Sequence, residues 1–244
     1  MTAVNKTKCL ICGEELIQGL EPREYRCDLC GKIFISSNLC KNGHHICSTC
    51  AIKEFYDATK SVCIKTKSKN PIGIAEQIMS YPNFTYFGCK HYIVAPMALF
   101  TAYKNSGGVS DFEKSLEIIK NAAMSSHTSL CNIGGVCGIP ISTGKSLFAS
   151  SLETIDKERL KVISSKLSVY CMHAITDPEY LGSADCCKRN IYISLIAGTK
   201  FIRDYLWIDL ELPNVVKCSY CENNPRCNKE LCRLYLGKNL IDYC

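Results

Sequence analysis

Residues 131–150 read CNIGGVCGIPISTGKSLFAS, and the fold turns on how this stretch is read. Its Gly144-Lys145-Ser146 is the closing tripeptide of a phosphate loop. Such a loop needs G-x4-G-K-[ST] after a buried strand and before a helix. The place of the first glycine falls on Ile139, Gly138 is one step early, and Pro140 lies inside the loop. The upstream SSHTSLCNIGG is not an apolar strand. No nucleotide is therefore expected at Gly144-Lys145-Ser146, and a helix is expected from about Ile141. Two readings remain for the glycines and for Cys131 and Cys137. Glycines leave room for a bulky group close to the backbone, and helix N-terminal amides favour an anionic cluster. Alternatively, small residues pack one helix on another over two buried thiols.

Around this stretch the pattern is helical. IGIAEQIMSYP reads as a short helix stopped by Pro82. HYIVAPMALFTAYKNSGG reads as an apolar helix ended by Gly107-Gly108. SDFEKSLEIIKNAAM opens on a capping box, Ser110 and Glu113, and repeats Phe112, Leu116 and Ile119 on one face. A further helix starts at Asp156 as N-cap, with a stripe of Leu160, Ile163, Leu167 and Cys171. The longest runs from about Cys186 to Leu206, with Ile191, Leu195, Ile202 and Leu206 inward. Strand–helix alternation is missing, which argues against a parallel sheet.

Both flanks differ. Residues 1 to about 63 are dense in Cys, Gly and charge, with little helical period, and the polar KTKSKNP (Lys65–Pro71) marks a boundary. Residues 213–244 are again rich in cysteine. The chain holds 19 cysteines in 244 residues. No signal-peptide pattern precedes them, and the longest apolar run, Tyr92–Phe100, is too short for a membrane span. A cytoplasmic chain with so many thiols points to metal-bound thiolates rather than disulfides, and to a reducing, oxygen-poor cell. The net charge of +6 suggests nucleic acid at first sight. Residues 1–70 carry a formal +4, which falls to near +1 once seven thiolates hold two zinc ions. That is no basic footprint, so nucleic acid is not favoured.

Spacing is most specific near the N-terminus. Cys9-x2-Cys12 and Cys27-x2-Cys30 are two knuckles, each followed by glycine, and Cys40-x3-His44-x2-Cys47-x2-Cys50 follows. Eight ligands make two tetrahedral sites, and mostly thiolate ligands point to zinc. His44 is preferred over His45 for its spacing to Cys47. The pairs can close sequentially. They can also interleave, with Cys27, Cys30, Cys47 and Cys50 on one ion and Cys9, Cys12, Cys40 and His44 on the other. Closed four-ligand sites are structural. A RING-like module ranks low because its final Cys pair is missing downstream.

Elsewhere, Asp185 is the expected N-cap for Cys186 and Cys187, whose thiol pKa the helix amides, Lys188 and Arg189 should lower. Neighbours diverge by about 100° on a helix, so both serve one cluster only in a distorted turn; one ligand plus one reactive thiol is the alternative. Cys218-x2-Cys221-x5-Cys227-x4-Cys232 suits an iron–sulfur cluster or a third zinc. Cys89 and His91 could join a cluster, whereas His127 and His173 read as ordinary polar contacts and Cys171 as core.

The motifs CLICGEEL, CDLCGKIF, CKNGHHICSTC, KSKNPIGIAEQIM, HYIVAPMALFTAYKNSG, CGIPISTG, CCKRNIY and ELPNVVKC, in this order, resemble domain-of-unknown-function family 5714. The resemblance implies no settled activity. It implies an origin in anaerobic archaea or bacteria and, through fusions in relatives, a methyltransferase-like protein partner. Cys131 and Cys137 match the family's C-G-x-x-G-x-C-G loop, with Asn132 in place of its first glycine. Cys186, Cys187, Cys218, Cys227 and Cys232 fall on its cysteine positions, and His91 on its histidine, while Cys221 is particular to this chain.

The expectation is a mainly α protein: a two-zinc, zinc-ribbon or treble-clef-like module (1–66), a helical domain (67–212) and a cysteine-rich tail packed on it (213–244). An iron–sulfur cluster on Cys131, Cys137 and Cys186 or Cys187, with the tail, would carry redox or sulfur-transfer chemistry. The alternative is a zinc-held module that binds a protein partner or RNA.

Overall fold

The computed structural model describes residues 8–81, 84, 90–108, 111–125, 135–150, 156–177, 183, 185–222, 224 and 227–237. The expected Ser110 cap and Pro82 stop, with Cys89, His127, Cys131 and Cys244, lie outside them.

The fold is mainly helical. A two-stranded antiparallel ribbon, β1 (Leu16–Arg26) and β2 (Ile33–Cys40), is followed by α1 (Ser48–Lys65), α2 (Pro71–Met79), α3 (His91–Asn105), α4 (Phe112–Ser125), α5 (Gly138–Ser150), α6 (Lys157–Thr176) and α7 (Cys187–Leu206). A 3-10 turn, Lys229–Leu231, leads into the short α8 (Arg233–Leu236).

At the centre lies α3. Every residue from His91 to Tyr103 is buried, the pattern of a helix with no solvent face. Helices α2, α4, α5 and α7 pack around it, with α1 alongside. Close approach needs small residues: a Cβ at Gly198 of α7 would come within 2.6 Å of the Leu99 side chain. The expected stripes take part, with Leu116, Ile119, Leu160, Leu167, Cys171, Ile191, Leu195 and Ile202 all buried. Cys171 is a core thiol that donates to the Ser194 carbonyl, and burial pushes it well above the ordinary thiol range.

Helix α5 starts at Gly138, three residues earlier than expected, so Gly144-Lys145-Ser146 lies in mid-helix rather than at a helix start. Gly144 faces α6, and a Cβ there would collide with the Ser164 carbonyl and with Ser168. The hydroxyls of Ser142, Thr143 and Ser146 are buried and donate to carbonyls one turn back, at Ile139, Ile139 and Thr143. This run is thus a small-residue face on which α5 and α6 meet.

Helix α1 was not foreseen. Its Phe55, Tyr56, Thr59 and Cys63 are buried, at helical spacing, against the bundle. Tyr56 donates to Glu117 Oε1 at 2.7 Å, and Lys60 and Lys120 reach the same carboxylate at 3.4 and 3.3 Å, tying α1 to α4. Expected caps also hold or shift. Asp156 caps α6 by accepting from Glu158 N–H. Asp111 accepts from Lys114 N–H ahead of α4. The tail closes on the bundle: Ser219 and Tyr192 both donate to Glu76 of α2, at 3.0 and 2.9 Å, and Cys218, Cys232 and Leu234 join the core.

Two outcomes follow. Gly144→Ala forces α5 off α6 and should lower stability by about 1–3 kcal/mol in urea unfolding. The Tyr56 hydroxyl above all, with Lys120 and Lys60, holds the Glu117 carboxyl below its ordinary range. Its contribution is therefore present above the unfolded value of about 4.3 and is lost as pH falls through the folded one. Urea midpoints of wild type and Glu117→Gln should differ at neutral pH and converge on acidification.

Candidate metal centres

The ribbon and the start of α1 build two ligand groups. Cys9 and Cys12 precede β1, and Cys27 and Cys30 form the turn between β1 and β2. The two knuckles repeat one geometry. Gly13 N–H returns to the Cys9 carbonyl at 2.9 Å and Gly31 N–H to the Cys27 carbonyl at 2.8 Å. Both glycines have left-handed φ, +76° and +69°, which explains the residue type after each second cysteine. The register of the ribbon slips between Gln18 and Arg23, and such a bulge bends a strand.

Cys9, Cys12, Cys40 and His44 come together in one group; Cys27, Cys30, Cys47 and Cys50 form the other. Within each, the ligand atoms lie within 4.8 Å of one another. The pairing is thus interleaved. Cys12 Sγ is 3.5 Å from Cys40 Sγ, Cys30 Sγ is 3.9 Å from Cys47 Sγ, and His44 Nδ1 is 3.8 Å from both Cys9 and Cys40. A disulfide would need about 2.0 Å. Zn–S bonds of about 2.3 Å in a tetrahedron put sulfurs about 3.8 Å apart. Both groups can therefore hold an ion such as zinc.

His45 turns away from the group. Its N–H donates to Asp28 Oδ2 at 2.7 Å, and its ring stacks on Tyr25. This clamp aims His44 inward. Cys47 is the N-cap of α1, its Sγ accepting from Cys50 N–H at 3.5 Å, and Cys50 lies in the first turn. The Glu14 backbone N–H holds Cys12 down to about 6. Against the upward pull of burial, the amides of Cys47, Cys30 and Leu29 bring Cys27 down to about 6. Cys50 is pushed up to about 12, first by its hydrogen bond with Cys47. Four thiols this close ionise together only around a cation.

The second set of thiols surrounds the head of α7. Cys186, not Asp185, is the N-cap; its Sγ accepts from Arg189 N–H at 3.5 Å. Its extended backbone, φ −81° and ψ 96°, lifts the 100° restriction between Cys186 and Cys187. The expected lowering of the Cys186 pKa is overturned, because burial raises it. Cys218, Cys221 and Cys232 are buried in the tail, and Cys137 and Cys227 are half-buried.

Several of these sulfurs accept N–H donors. Asn224 donates to Cys186 at 3.2 Å, Asn190 to Cys137 at 3.4 Å, Tyr220 N–H to Cys218 at 3.4 Å and Lys229 N–H to Cys227 at 3.3 Å. Asn190 and Asn224 were missed in the sequence, since an asparagine carries no motif. Electrostatic coupling links Cys186 to Cys227 and Cys232, and Cys218 to Cys186, Cys221 and Cys232. No three of these thiols, among the described residues, close to single-ion distances. A multi-iron cluster spreads its thiolates farther than one ion does. His91 is buried at the head of α3 against Phe84 and belongs to neither N-terminal group.

Fold and thiols together define a helical metal-binding protein. The chain belongs to a family of unknown function (DUF5714), which matches residues 59–235. That match contains the second set of thiols and leaves out the eight N-terminal ligands. No curated protein and no solved structure matches the chain. No helix among the described residues is long and apolar enough to cross a membrane.

Purified protein should carry two zinc ions per chain, one for each group. His44→Ala should reduce this to about one by metal analysis, while His45→Ala should keep both.

Proposed function

We propose that the chain is a metalloprotein with two kinds of centre: two structural zinc ions near the N-terminus and an iron–sulfur cluster at the head of α7. The zinc module is of the treble-clef kind at its second group, where Cys27 and Cys30 come from a knuckle and Cys47 and Cys50 from the start of α1. Its closed four-ligand sites leave no position open for chemistry. The cluster draws on Cys137 and Cys186 or Cys187, with Cys131 and the tail cysteines Cys218, Cys227 and Cys232 completing the set. When bound, it supplies one-electron or sulfur-transfer chemistry.

The observation that carries this reading is Arg189. Its guanidinium is buried, donating to the Ile175 carbonyl and to Asn190. Burial lowers its pKa, and Cys232, Cys186 and Cys137 are among the groups whose charge would act on it. A buried cation needs a buried anion, and thiols supply one only as thiolates. Burial raises the pKa of Cys186, and that of Cys218 to about 12, so ionisation there calls for bound metal. The N–H donors on the sulfurs fit the same state. No disulfide joins the described cysteines, which suits a reducing cytoplasm and anaerobic metabolism.

A second reading is a non-catalytic module that binds a protein partner, such as a methyltransferase. The ribbon favours it, because Ile17, Leu20, Ile33 and Ile35 are exposed there.

Anaerobic purification separates the two. The first reading expects iron and acid-labile sulfide beyond the zinc, both lost in Cys137→Ala and Cys232→Ala with the zinc retained. A colourless protein that carries zinc alone overturns it and leaves the partner-binding module.

A further inference from the structure

Lys188 follows the two cysteines at the head of α7 and is fully buried. Its Nζ lies 3.5 Å from the centroid of the Phe84 ring and 4.3 Å from that of Tyr220. Among the described residues Nζ has no hydrogen-bond partner. Burial pulls its pKa down to about 7, and negative charge on Cys218, Cys187 and Cys186 pulls it up. The amine is thus walled by two ring faces, which attract a cation, and it directly follows Cys186 and Cys187 in the chain. Phe84 precedes α3 and Tyr220 belongs to the tail, so three segments converge on one amine. A lysine that served only to fill space would present its stem here and lead the charge to water. This one ends inside the protein.

We propose that Lys188 is the counter-charge of the metal centre and sets its reduction potential. This rests on the iron–sulfur reading. Reduction adds one electron, and so one negative charge, to the cluster without a proton. A cation held beside the sulfurs in a medium of low polarity stabilises the reduced form more than the oxidised form. The N–H donors at Cys137, Cys186, Cys218 and Cys227 act in the same direction. Lys188 is a positioning residue: it fixes charge at the cluster and need not touch a substrate.

The test is a dithionite titration of the anaerobically purified full chain, followed by the cluster's absorbance and electron paramagnetic resonance. Lys188→Met should keep iron and sulfide and move the midpoint to a more negative potential. Lys188→Arg should stay near wild type. A fully loaded Lys188→Met with an unchanged midpoint overturns the proposal while the cluster stands. If Lys188→Met cannot hold the cluster, iron and sulfide content is compared with Lys188→Arg. Content restored by arginine supports the role of charge, and loss in both variants overturns it. Wild type without iron and sulfide removes the iron–sulfur reading and this inference together.

Discussion

The burial of α3 on all its sides is the constraint on which the other elements depend. A helix of which His91 to Tyr103 all leave water must be walled completely, and α2, α4, α5 and α7 are the walls. Walls that close tightly need residues without bulk at the crossings. Gly198 meets Leu99, and Gly144 lets α5 lie against α6. On α5 the buried hydroxyls of Ser142, Thr143 and Ser146 answer carbonyls of their own helix.

The bundle in turn fixes the second set of thiols. Helix α7 lies against α3 for much of its length, which plants its first turn, with Cys187, Lys188 and Arg189, in the interior. The tail crosses that end and brings Cys218 and Cys232 to it, pinned by Ser219 on Glu76 and by the Cys218 N–H on the Leu234 carbonyl. Charge placed there cannot reach water, so its partner must be inside as well. The two N-terminal groups work the other way round: the turns that surround each sulfur shape the ribbon.

Much of this was legible in the sequence. Stripes in α4, α6 and α7 predicted the core because an amphipathic helix writes its buried face into its spacing. The eight N-terminal ligands stood out because Cys-x2-Cys followed by glycine has one economical geometry. Their interleaved closure did not, since local spacing is the same for either pairing and only the ribbon brings Cys12 to Cys40. Helix α1 was overlooked although Ile52, Phe55, Tyr56, Thr59 and Cys63 carry its period; the cysteines around it drew the reading toward an irregular module. At α7 the cap was misplaced by one residue, because a thiol is a weaker acceptor than a carboxylate and Asp185 seemed the natural choice. Donors such as Asn190 and Asn224 carry no spacing signal of their own, so nothing local announces them.

Helix α1 gives the two halves of the chain a common axle. Cys50 belongs to a metal group and Phe55, five residues on, to the core of the bundle, a rise of about 7.5 Å along one rigid helix. No flexible joint separates them. The N-terminal module is therefore not a bead on a string with its own orientation; the chain aims it. Whatever docks on its exposed isoleucines is delivered at a set angle to the end of the bundle where the second thiols lie.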